Sequence, residues 1–227
     1  MSRPRAWPIA TAIFGLATLA MLVGFSLLPE VRAAYPHGDF GPALSAFQRA
    51  TDISELGALF GAPPDQAKLA AMTAGNTLDL FGFIPVYTIF LVCAAAMLAG
   101  GVRKPLAWAA IAPAMLGAVA DIVETWTQLQ MTADWTHAEE LLPAVAPACW
   151  TKYFALAAHA LGCTAICLAG KPRRWIVGAL GFIPIAGVFA DWTGALQIPS
   201  LMSMTFGVFW LALLGLALAQ ILGKRTA

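Results

Sequence analysis

Charge is what this sequence has least of. Thirteen basic and twelve acidic residues make a 227-residue chain only 11% charged, where a soluble domain averages about a quarter. Too few charges remain to cover a water-exposed surface, which excludes an ordinary soluble globular protein. The near-zero net charge of +1 offers nothing to a nucleic acid. HExxH, CxxC and a phosphate-cradling glycine loop are all missing, so no motif announces zinc, thiol-redox or nucleotide chemistry. No metal and no cofactor is expected. The four cysteines make no disulfide framework: Cys93, Cys163 and Cys167 lie in apolar runs and only Cys149 nears a polar boundary, the pattern of small buried apolar residues. Asp134, His137, Glu139 and Glu140 in DWTHAEE, and His37 in YPHGDF, meet no ligand spacing and read as solvated loops.

What fills the chain instead is hydrocarbon, 60% of residues, gathered in long runs. About 20 apolar residues cross a bilayer as helix. Six runs qualify, at 7–28, 77–99, 106–128, 147–169, 175–196 and 201–222, punctuated by GGVRKP, GKPRR and IPS. The expectation is an all-α polytopic bundle of six transmembrane helices, a single membrane domain over 1–227. Arg3 and Arg5 before the first run, with Val31-Arg32-Ala33 after it, also fit a cleaved signal sequence. An apolar stretch that long favours a retained span.

The thirteen basic residues are distributed unevenly. Arg3, Arg5, Arg103, Lys104, Lys171, Arg173, Arg174, Lys224 and Arg225 all fall on one side of the six-span topology. By the positive-inside rule both termini are cytoplasmic. The segment 29–75 is then external. Leu44, Phe47, Ile53, Leu56, Leu59 and Phe60 recur at helical spacing in 40–61, and the prolines of PPDQAKLAAMTAGN suit a helix start. Two short helices are expected there, as a passive cap or a lid. KPLAW at 104–108 returns as KPRRW at 171–175, and Ala-Asp followed by Trp-Thr recurs near 120–127 and 190–193. Spans 2–3 and 4–5 would thus be two parallel hairpin repeats.

Against this background a few polar residues sit at membrane depth, where each charge costs at least a few kcal/mol. Asp121 falls roughly 22 Å into a core roughly 30 Å thick. Glu124, Asp191, Asp79, Asn76 and Lys152 lie at a similar level by count along their spans. Asp121, Glu124, Thr125 and Gln128 share one helical face, and Lys152, His159 and Cys163 share another. Facing inward, Lys152 would pair with Asp121 or Asp79. One lysine cannot neutralise four acids, so protons or water must help. Trp126, Trp192, Tyr87 and Tyr153 stand near the same level, as an aromatic belt or as walls for a cationic group. The bland reading of the set is glue between helices; the sharper one is a pocket, with Asp121, Glu124, Asp79 and Lys152 as catalytic groups. Asp191, Asn76, His159 and the four aromatics would then contact substrate.

LDLFGFIPVY (78–87), ADIVET (120–125) and Lys152 in TKYFAL resemble an uncharacterised group of bacterial polytopic membrane proteins. That group shows Leu-Asp, aromatic, Pro, Tyr, then Ala-Asp-x-x-Glu-Asn, then a lone intramembrane lysine. The resemblance spans roughly residues 45–168, and Thr125 stands where the group has asparagine. It implies a site at Asp79, Asp121, Glu124 and Lys152, and a bacterial inner membrane as location. It implies no reaction.

Two functions compete. The inner halves of the spans, such as 88–100 and 105–120, carry no acid and almost no polar group. One-sided polarity suits a pocket open to the outer leaflet, for binding or acid-catalysed conversion of a lipid- or isoprenoid-like amphiphile. A membrane-embedded cyclase, isomerase or lipid-modifying enzyme would use a carboxyl as general acid there. A proton- or ion-coupled transporter would open a path at Pro85, Pro113 and Pro184. A structural or partner-binding role is the third reading. The expected partner is a membrane lipid or amphiphilic small molecule, and homo-oligomerisation is left open.

Overall fold

In the computed structural model the described residues are 6–100, 104–169, 174–196, 198 and 201–223. They form helices and turns throughout. In chain order these are α1 (Ala6–Leu27), α2 (Pro29–Ala34), α3 (Phe40–Arg49), α4 (Ile53–Phe60) and α5 (Gln66–Leu78); then a π-helical turn (Asp79–Phe83), α6 (Ile84–Ala99), α7 (Lys104–Ala133), a 3-10 turn (Trp135–His137) and α8 (Ala138–Leu168); and last α9 (Trp175–Leu180), α10 (Ile183–Trp192) and α11 (Leu201–Leu222). Six helical stretches are long and apolar enough to cross a membrane: Ala6–Leu27, Gln66–Ala99, Lys104–Ala133, Trp135–Leu168, Trp175–Trp192 and Leu201–Leu222. The chain is therefore a multi-pass α-helical membrane protein. Large apolar side chains such as Ile13, Val119, Ile176 and Met204 face outward, where lipid, not water, is the solvent that suits them.

Several boundaries differ from the sequence expectation. PPDQAKLAAMTAGN does not make a short loop helix of its own; it opens a helical stretch that continues to Ala99. Asp65 caps that start, its carboxylate accepting from the Ala67 and Lys68 amides, and no proline interrupts the chain from there to Pro85, so the helix runs on into the apolar stretch. The segment 40–61 holds two helices because Asp52 caps a fresh start, taking the Ser54 and Glu55 amides. The run expected as one helix over 175–196 is broken after Leu180, and α10 then begins at Ile183 with Pro184 in its first turn, where a residue with no amide to continue a ladder is tolerated. The partner of Lys104–Ala133 in the expected repeat is thus two shorter helices. Seven residues of the basic side (Arg3, Arg5, Arg103, Lys171, Arg173, Lys224 and Arg225) lie outside the described residues. Of the other two, Arg174 donates from Nη1 to the Leu98 carbonyl at 2.5 Å.

The chain divides into two compact units. The first takes Met1–Thr18, Val86–Gly117 and Tyr153–Ala227. Small residues set its packing: a Cβ on Gly162 would stand 2.7 Å from the Ala110 Cα and 2.8 Å from the Ala109 carbonyl oxygen, so only glycine lets α8 approach α7 this closely. His159, one turn earlier, meets the Ala110 carbonyl at 2.9 Å. Tyr87 and Phe90 pack on Trp210.

The second unit takes Leu19–Pro85 and Ala118–Lys152. Its core joins Phe40 and Phe47 of α3, Leu56 and Phe60 of α4, Leu69 and Met72 of α5, Met131 of α7 and Leu142 and Val145 of α8. Phe60 stacks edge-on with Phe47 and Trp135 at 5.1 and 5.0 Å. Burying each such ring contributes on the order of 2 kcal/mol, so α3 and α4 are bound to this core rather than loosely tethered. Tyr35 is half-buried at its margin; burial and the Asp65 charge push its phenol up to about 12.

Candidate functional site

Three of the four acids that the sequence places at membrane depth, Asp79, Asp121 and Glu124, meet inside the second unit. Lys152 Nζ donates to Asp121 Oδ1 at 3.0 Å and lies 2.7 Å from Glu124 Oε2. Asp121 and Glu124 are one helical turn apart on α7, so both carboxylates reach the same ammonium from the same face. Asp79 accepts a hydrogen bond from the Thr125 hydroxyl at 3.3 Å and lies within electrostatic reach of Asp121, Lys152 and Glu124. The Gln128 amide donates to Glu124 Oε1 at 3.4 Å. Glu124 and Gln128 are completely enclosed, and Lys152, Asp121 and Asp79 are at most 7% exposed.

The backbone explains how Asp79 reaches this cluster. The Ile84 amide bonds back to the Asp79 carbonyl, five residues away, and the turn between them is π-helical. Pro85 follows directly. In a regular helix its ring would crowd the carbonyl four residues earlier, and it has no amide of its own to bond. The wider turn gives the ring room. π turns inside α-helices are frequent at functional sites.

Four further residues belong here. Gln48, on α3, hydrogen-bonds to Glu124 and is 7% exposed. Leu44 and Phe47 mark the apolar stripe on which it sits, so its place on that stripe was the available signal. Thr125 and Gln128 share the acid-bearing face by helical spacing, which pairs neither of them with a particular acid. Cys149, completely buried one turn before Lys152, is within electrostatic reach of Glu124, Lys152, Asp121 and Arg49.

The remaining sequence candidates separate. Asn76 is in the second unit, on α5, 1% exposed and with neither amide atom partnered among the described residues. Trp126 points outward, 53% exposed, as a belt residue does. Asp191, His159, Tyr87, Tyr153 and Trp192 all belong to the first unit. There His159 is used up by the Ala110 carbonyl and a 3.6 Å contact with Cys163. Tyr87 stacks on Trp210, Tyr153 tilts against Phe206, and Trp192 meets Phe154 and Phe189. Asp191 is half-buried at the end of α10.

No family model, curated protein or solved structure matches this chain. Fold and site define its class, a polytopic α-helical membrane protein with an enclosed cluster of acids around a lysine.

Proposed function

We propose that the second unit binds the polar head of a small amphiphile and handles a proton on it. The observation that carries this reading is the enclosure of Lys152, Asp121, Glu124 and Asp79 together with two buried carboxamides. A single ion pair suffices to hold two helices together; this set is larger than glue requires. In the proposed role Lys152 holds Asp121 and Glu124 as a fixed acceptor pair. Asp79, the acid not in direct contact with the ammonium, is the proton donor, and the Thr125 hydroxyl orients it. Lipid or isoprenoid tails would lie along the apolar surface of the spans, with the head entering from the outer leaflet. Both chain ends would be cytoplasmic, in a bacterial inner membrane.

The π turn at Asp79 favours a second reading, a proton-coupled carrier, because a widened turn is a place where a spanning helix can change conformation. Purified protein in nanodiscs tests the first reading. Native mass spectrometry should release a bound amphiphile from the wild type, and Asp121→Asn, which keeps shape and loses the acid, should lose it while folding normally. Substrate- or proton-dependent flux in proteoliposomes, abolished by Asp121→Asn, would select the carrier. Retention of the bound molecule by both Asp121→Asn and Lys152→Met would leave helix glue as the better account.

A further inference from the structure

The helix α5, with the π turn that continues it, is tied to α7 by two side-chain rungs. Thr73 Oγ1 meets Thr132 Oγ1 at 2.9 Å, and Thr125 Oγ1 meets Asp79 Oδ2 at 3.3 Å. Going up one helix and down the other, residue numbers in each rung add to nearly the same total, as antiparallel register demands. Midway between the rungs the same register sets Asn76 level with Gln128. Each is one turn from a rung residue on its own helix, on the face that makes the rungs. Both are fully enclosed, at 1% and 0% exposure. The Gln128 amide already touches Glu124, which fixes its other atom inside the cluster. Yet Gln128 Oε1 and both amide atoms of Asn76 have no hydrogen-bond partner among the described residues. A buried polar group left so costs about 1–3 kcal/mol. Two of them at one level, between two satisfied rungs, describe a place built for something else.

We infer that the gap between Asn76 and Gln128 is the subsite for a primary ammonium group, so that the amphiphile is an amine. This rests on the binding reading above and not on its proton step. Charge points to a cation. Three carboxyls (Asp79, Asp121 and Glu124) surround Lys152, and even with Arg49 counted, which lies within electrostatic reach of Cys149 beside them, the ionised group would lack one positive charge. A proton on Asp79 supplies it in the empty site, and a bound ammonium supplies it in the filled one. Hydrogen bonding points to a donor. The open atoms include two carbonyl oxygens, Asn76 Oδ1 and Gln128 Oε1, with the Asp79 carboxyl close by. An ammonium carries three N–H bonds and no acceptor, which matches three oxygens. A hydroxyl brings one donor and no charge, and a quaternary ammonium brings charge and no donor.

The test uses the full chain in nanodiscs with dodecylamine, dodecanol and dodecyltrimethylammonium as probes, read by tryptophan fluorescence and native mass spectrometry. Dodecylamine should bind saturably, one per chain, at least tenfold tighter than either of the others. Asn76→Leu and Gln128→Leu should each weaken it about tenfold, the loss of one hydrogen bond to a charged group. Asn76→Leu should not unfold more easily, because both of its amide atoms are unpartnered; Gln128→Leu also loses the bond to Glu124, so the Asn76 variant is the one in which a folding defect cannot mimic the result. Equal binding of dodecanol, wild-type affinity for dodecylamine in both leucine variants, or displacement of dodecylamine by sodium alone would each overturn the inference. If the co-purifying amphiphile is lost in Asp121→Asn but dodecylamine never competes with it, the binding site stands and the ammonium does not. If neither effect is seen, both fall.

Discussion

Replacing Lys152 with methionine keeps most of the side-chain volume and removes only the charge. The lysine ammonium stands 3.0 Å from Asp121 Oδ1 and 2.7 Å from Glu124 Oε2, and none of the three side chains is more than 6% exposed. Water cannot take its place without opening the unit. Breaking a buried pair by removing one partner costs about 3–5 kcal/mol. For a chain of this length each kcal/mol moves the unfolding midpoint by about 2–4 °C, so Lys152→Met should unfold roughly 6–20 °C below wild type in detergent, followed by tryptophan fluorescence. The companion protein carries Asp121→Asn and Glu124→Gln as well. Of the acids it keeps only Asp79, which carries its proton in the proposed role, so no charge is orphaned, and replacing a buried ion group by neutral residues is close to neutral in stability. Most of the lost midpoint should return. A single variant that melts within about 1 °C of wild type, or a triple variant no better than the single, would refute the idea that these groups depend on one another.

Gly162→Ala should destabilise by about 1–3 kcal/mol, because the added Cβ meets only backbone of α7, at 2.7–2.9 Å, and backbone cannot rotate aside; thermal unfolding measures it. Hydrogen bonds from the Ser54 hydroxyl, then from the Glu55 amide, hold the Asp52 carboxyl below its ordinary range. A depressed folded-state value means the cap stabilises α4 above the unfolded value of about 3.9 and is lost as pH falls through the folded one. Amide exchange at Ser54 and Glu55, corrected for intrinsic rates, should therefore lose protection in acid, and Asp52→Asn should flatten that pH dependence. The described native cysteines are all buried, so Gln66→Cys, at an exposed position, should be the one site labelled by an impermeant maleimide on intact cells. Labelling only after permeabilisation would reverse the proposed orientation.

The sequence carried the spans because a bilayer imposes a length that apolar runs record directly. It carried the Lys152–Asp121 contact because helical spacing fixes which side chains share a face, and enclosed charges must find one another; that Glu124 and not Asp79 takes the second place on the ammonium was not legible. It did not carry the division of the candidates, with Asp191 and His159 in one unit and that contact in the other: depth along a span is legible from residue counts, whereas rotation about the helix axis and the choice of neighbour depend on packing. His159 shows the difference, since its place on the lysine face of α8 is real and its partner, the Ala110 carbonyl, is local to the other unit. Gln48 was hidden for another reason. A glutamine in a segment expected to lie outside the membrane reads as solvated, and only the docking of α3 on the core of its unit turns it inward.

The turn at Asp79–Phe83 contains one residue more than an α-helix needs. Each residue advances an α-helix by about 100°; the wide turn absorbs the extra one, so excising it would close the turn while the stretches before and after keep their faces. Pro85 would then again press on a carbonyl. Extra residue and proline thus form one heritable unit, gained or lost by a single-codon insertion or deletion rather than by substitution. Descendants of a common ancestor that differ here should differ in length first, and an alignment that opens its gap anywhere else in this span will set the wrong residue opposite Asp79.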